Sequence, residues 1–151
     1  VKYRKRKSYE FELLTEETFH TDVRGYGTTT EFIHLSDEGL LTISKHYSWD
    51  GSSVPLKRMI KPVWNSDKYC GIASLIHDAL YQLIRDGNIP KSCKTIADLT
   101  YRNMCILGGM GKLQAAWRYK ALRWFGWSAL HKKKVNQIIE VPLWHSEQQT
   151  I

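Results

Sequence analysis

His77 and Asp78 stand side by side in Ile76-His77-Asp78-Ala79-Leu80-Tyr81, an otherwise apolar stretch. Burying an imidazole and a carboxylate is costly unless each finds a partner, so something specific must satisfy the pair. Two explanations stand side by side. In one, both face a shared cleft, as ligands of a divalent ion or as a base with its orienting carboxylate. In the other they are structural, hydrogen-bonding backbone or the Trp-Asp-Gly loop and fixing how loop and helix meet. That loop, Trp49-Asp50-Gly51-Ser52-Ser53-Val54-Pro55, supplies a second carboxylate. Asp-Gly followed by serines caps turns, and Trp49 and Pro55 make the loop rigid enough to aim Asp50 and Ser53 at a neighbour.

Asp98 is the third acidic feature, in Thr95-Ile96-Ala97-Asp98-Leu99-Thr100-Tyr101-Arg102. Arg102 stands at i+4, and as a surface ion pair the two would contribute only tenths of a kcal/mol. If the helix bearing Asp98 packs antiparallel to the one bearing His77, then Asp50, His77, Asp78 and Asp98 converge. Three carboxylates and an imidazole suit an oxygen-preferring ion such as Mg²⁺ or Mn²⁺, with Zn²⁺ as the alternative, and a water left to attack a phosphate or an amide. Ser53 and Tyr81 would donate hydrogen bonds around that centre, and Arg102, Arg118 and Arg123 are candidates to bind an anion. Cys70, Cys93 and Cys105 have no CxxC spacing and no histidine at zinc-finger distance, so they read as buried thiols.

The elements that must carry these groups change type along the chain. Segments 8–14, 28–34 and 40–44 alternate or are β-branched and read as three short strands. Ser36-Asp37-Glu38-Gly39 has hairpin chemistry, making the second and third antiparallel neighbours. A helix follows from Tyr69 to Arg85, with Ile72, Ile76, Ala79 and Leu83 on one stripe and apolar residues almost all round, which places it in the core. Asp86-Gly87 ends it, and a second helix runs from about Thr95 to Leu107. The third spans Lys112 to about Phe125. Its face of Leu113, Ala116, Trp117, Lys120, Ala121 and Trp124 is expected to be core, with Trp127 and the lysines at 132–134 as a contact surface, the alternative being a helix that stacks bases or grips phosphates. Strands followed by helices predict an α+β domain, an antiparallel sheet of three or four strands packed by three helices. Its expected limits are 8–134, with a basic mobile arm at 1–7 and a C-terminal extension at 135–151 that adds a strand or packs as an arm.

The chain has 151 residues and 22 Lys+Arg against 15 Asp+Glu, a formal charge of +7. At 42% hydrophobic and 25% charged it is an ordinary globular composition, not a collagen, a disulfide mini-protein or a disordered chain. No apolar run reaches the length of a membrane span, and the first residues lack the apolar core of a signal peptide. The chain is therefore expected to be intracellular when made. Between Asp98 and Glu140 there is no carboxylate, but Arg102, Lys112, Arg118, Lys120, Arg123, Lys132, Lys133 and Lys134 all fall there. Such a field attracts phosphate, nucleic acid, an anionic membrane or an acidic protein, unless it is simply a solvated basic surface.

The motifs in order, Trp49-Asp50-Gly51-x-Ser53-x-Pro55, Ala73-x-Leu75-Ile76-His77-Asp78-x-Leu80-Tyr81, Ala97-Asp98 and Tyr119-Lys120-Ala121-Leu122-Arg123-Trp124-Phe125-Gly126, cover about Leu40 to Gly126. Together they resemble an uncharacterised family of short phage and prophage proteins. The resemblance implies a phage-encoded protein in which Asp50, His77, Asp78 and Asp98 recur as a set, and it implies no reaction. The His-Asp pair is also similar to that of metal-dependent phosphohydrolases, an analogy of site alone, because those enzymes are all-helical. The leading expectation is a hydrolase-like phage protein with a polar site, divalent metal included, at Asp50, His77, Asp78 and Asp98. One alternative is a virion component of tail or baseplate, with the cluster as an internal staple and other phage structural proteins as partners. Another is a non-enzymatic inhibitor of a host factor.

Overall fold

The computed structural model describes residues 1–5, 11–49 and 66–131. It is an α+β body in which antiparallel strands precede three helices. The strands are β1 (Tyr3–Lys5), β2 (Phe11–Leu13), β3 (Glu17–His20), β4 (Thr28–Thr29), β5 (Ile33–Leu35), β6 (Leu40–Ile43) and β7 (Ser48–Trp49). They form two small sheets, ordered β1-β2-β7 and β3-β6-β5-β4, where one sheet was expected. The basic N-terminal segment, expected as a free arm, is paired over Tyr3–Lys5 with β2.

The β5–β6 hairpin forms as its turn chemistry predicts. Gly39 takes a left-handed φ of 89°, its N–H donates to Ser36 O at 3.1 Å, and Leu35 and Ile33 face Leu41 and Ile43 across the ladder. The run 28–34 is not one strand. Thr30 Oγ1 accepts from Ile33 N–H and donates to Ile33 O, so the side chain turns the backbone between β4 and β5.

Helix α1 (Ser66–Arg85) is the central element. Leu75, Ile76, Ala79, Leu80, Leu83 and Ile84 are buried with Leu13, Ile33, Leu35, Leu41 and Ile43 of the strands in one core. Ile72 of the expected inward stripe is instead exposed. A three-residue 3-10 turn at Lys91–Cys93 leads into α2 (Lys94–Leu107), and α3 (Lys112–His131) follows. The three cysteines are buried.

Helix α3 departs from expectation in two ways. It continues past Phe125 to His131, and its large side chains point outward: Leu113 is 90% exposed, Trp124 73% and Trp117 50%. Facing in are the small residues Ala115, Ala121 and Gly126. Both stripes have the same helical period, so periodicity does not say which one packs. Close approach to α1 and α2 selects the small one. The loop from Asp50 to Pro55 and the C-terminal extension lie outside the described residues, so the expectations for Asp50, for Ser53 and for a strand at Ile138–Val141 are not addressed by them.

Candidate functional site

Helices α1 and α2 run antiparallel, so that Tyr81 lies near Lys94 and His77 near Asp98. Asp98 has no solvent exposure. Its Oδ1 accepts hydrogen bonds from His77 Nε2 at 3.1 Å and from the Tyr81 hydroxyl at 2.6 Å. Its Oδ2 accepts from Lys94 Nζ at 2.7 Å, with Arg123 Nη1 at 3.6 Å. Of the four groups expected to converge, His77 and Asp98 meet, with the Tyr81 hydroxyl added, while Asp50 lies outside the described residues.

Lys94 is the member that sequence reasoning missed. It is 1% exposed, donates a second bond to the Leu122 carbonyl of α3 at 3.0 Å, and lies 5.5 Å from the centre of the Trp127 ring. One ammonium therefore ties α2 to α3 while neutralising the buried carboxylate. The signal was present: Lys94, Ala97, Asp98, Tyr101 and Cys105 recur at i, i+3, i+4, i+7 and i+11, a stripe whose centre includes Lys94. A lysine in a first helical turn also opposes the helix dipole and calls for a carboxylate nearby. Asp98 pairs with this i−4 cation and not with Arg102, which lies on the flank of the stripe. Arg118 reaches a different group, the Tyr101 hydroxyl, at 3.1 Å, and Arg123 donates to Thr95 Oγ1 at 2.9 Å.

On the other side of the imidazole, His77 Nδ1 is 3.7 Å from Asp78 Oδ1, and the Asp78 side chain is 31% exposed. The His77 ring also stacks obliquely on Tyr81, with centroids 4.0 Å apart. Trp49, the last residue of β7, donates from Nε1 to Ser74 Oγ at 3.1 Å. Ser74, His77, Asp78 and Tyr81 share one face of α1 by their i, i+3, i+4, i+7 spacing. The residue before Asp50 is therefore anchored one turn from the His-Asp pair.

Burial alone would push the His77 imidazole down, but hydrogen bonds to Asp78 and Asp98 and their charges lift it above its ordinary value. Burial likewise opposes ionisation of Asp98, and the bonds from His77, Lys94 and Tyr81 overcome this and hold its carboxyl below the usual range. Burial first, then the Asp98 charge and hydrogen bond, push the Tyr81 phenol up. The signs define a stability profile. The raised His77 contributes stability that is complete below its unfolded value of 6.5 and is lost as pH rises through the higher folded value. The depressed Asp98 contributes above 3.8, and this is lost as pH falls through its lower folded value. Urea midpoints across pH should therefore decline on the alkaline side in the wild type, with that decline missing in His77→Gln. Identical alkaline limbs would show that His77 carries no such linkage.

The donor set speaks against a metal centre built from these residues. Both Asp98 oxygens are already engaged, one by an ammonium that would repel a bound cation. Among the described residues no group of three His, Cys, Asp or Glu side chains is arranged to hold an ion. Comparisons with family models, with curated proteins and with solved structures return no match, so the site's chemistry is read from this chain's own residues.

Proposed function

We propose that the chain is a hydrolase-like protein, phage-encoded as its motif resemblance implies, with His77 as its acid–base group. The observation that supports this is the two-sided environment of the imidazole: Asp98 holds Nε2, while Nδ1 faces the part-exposed Asp78. A buried carboxylate orienting one nitrogen leaves the other to exchange a proton with a substrate or water. The raised affinity of His77 for its proton suits a general acid, delivering that proton from Nδ1 to a leaving oxygen or nitrogen. Asp78 would position the water or the leaving group. The positive balance of the chain favours a phosphoester over a neutral amide as substrate.

The test is turnover of a chromogenic phosphodiester and of peptidoglycan fragments by wild type, His77→Gln and Asp78→Asn, each shown to be folded by circular dichroism. Removing the acid should lower the rate about 10²–10⁴-fold. No turnover of either class by the wild type, or an unchanged rate in His77→Gln, would sink the proposal. A second reading draws on the completeness of the Asp98 network, whose acceptors are all engaged. There the cluster is a staple in a virion component, and the chain would co-purify with particles in fixed copy number.

A further inference from the structure

We infer that the outer face of α3 is a docking surface for an anionic lipid bilayer. At roughly 100° per residue, Leu113, Trp117 and Trp124 fall within about 40° of one another, a line roughly 16 Å long. Trp127 lies at its margin, and all four are exposed. Leu107, 79% exposed at the end of α2, lies just before the turn into α3. Large apolar side chains aligned and turned outward mark a contact surface, since isolated exposed ones would need no explanation.

Charge chooses the occupant. Helix α3 has no carboxylate, Lys120 sits within the apolar line, Lys112 and Arg123 lie beside it, and three lysines follow at 132–134. A second copy would bring like charge onto like charge. Nucleic acid would satisfy the cations, but the most exposed apolar residues, Leu113 and Leu107, have no ring on which a base stacks. Leu113, Trp117 and Trp124 stand well exposed along one line, which suits insertion into a soft surface. Tryptophan favours the bilayer interface, leucine its acyl boundary, and lysine stems extend along the apolar surface with their ammonium groups at anionic headgroups. No helix among the described residues is long and apolar enough to cross a membrane, so α3 would lie on the bilayer. Of these residues only Arg123 and Trp127 approach the Asp98 network, and neither is changed in the test, so this inference does not depend on the proposed reaction.

The experiment is co-sedimentation of the full chain with vesicles of phosphatidylcholine alone and of phosphatidylcholine with phosphatidylglycerol, at low and high salt. Binding is expected only with the anionic lipid, and weaker in salt. Leu113→Ser with Trp124→Ser should reduce it at least about tenfold, because two apolar side chains are lost from the interface. Lys112→Glu with Lys120→Glu should remove the preference for anionic lipid. Both variants change exposed positions, and circular dichroism would verify the fold. The inference is overturned by absence of binding to anionic vesicles, or by binding that neither variant weakens, which would point to the basic residues at 2–7. It is equally overturned if a single-stranded oligonucleotide displaces the protein from the vesicles through this same face, or if the double serine variant abolishes a dimer seen without lipid.

Discussion

Replacing Lys94 with Met is expected to lower the unfolding free energy by about 3–5 kcal/mol, because it leaves the fully buried Asp98 without its cation. Met fills most of the volume of the lysine stem, so the loss reports charge and hydrogen bonding more than a cavity. Two bonds go at once, to Asp98 Oδ2 and to the Leu122 carbonyl, and the second is a direct tie between α2 and α3. Asp98→Leu should also destabilise, since it strands the buried ammonium and removes the acceptor of His77 and Tyr81. Combining Lys94→Met with Asp98→Leu should cost less than the two changes added together, because each change relieves the unpaired charge left by the other. Urea unfolding of the four proteins measures this. A loss below about 1 kcal/mol for Lys94→Met would match an exposed ion pair and contradict a closed network.

Gly126→Ala is expected to destabilise by about 1–3 kcal/mol, although alanine is the better helix former. In an exposed helix the same change would be favourable by about 1 kcal/mol. Here a Cβ at position 126 would press on the Tyr81 hydroxyl and lie 3.2 Å from Lys94 Cε and Nζ. Tyr81 has little room to yield, because its hydroxyl donates to Asp98 at 2.6 Å. Either α3 lifts from the body or the network opens. Tyr81→Phe removes the colliding oxygen, so in that background the alanine should be tolerated better than in the wild type. Equal penalties in both backgrounds would place the strain elsewhere.

Much of the scaffold was legible. Hydrophobic period and turn residues set α1, α2 and the β5–β6 hairpin, and the left-handed Gly87 ends α1 where the Asp-Gly pair predicts. These are local outcomes: propensity, capping and a glycine's backbone freedom act within a few residues. The His-Asp pair could be singled out because polar groups in an all-apolar helix demand partners, and antiparallel helices were enough to bring Asp98 to His77. The break between β4 and β5 was not legible, because a Thr side chain that substitutes for ladder hydrogen bonds looks in sequence like any β-branched strand residue.

Local pattern is enough for the order of strands and helices, for the buried α1, and for the need of His77 and Asp98 for partners. The identity of those partners and the direction α3 faces come from how the helices pack. Lys94 and Arg102 flank Asp98 at equal spacing, and it is the packing of α3 over the first turn of α2 that buries one and leaves the other at the margin. The aromatic and the small-residue stripes of α3 are equally periodic. Gly126 lets the helix approach Tyr81 and Lys94 closely, and that contact turns Leu113, Trp117 and Trp124 away from the core. Periodicity is a property of one helix, whereas the choice of inner face belongs to the neighbours that share its volume.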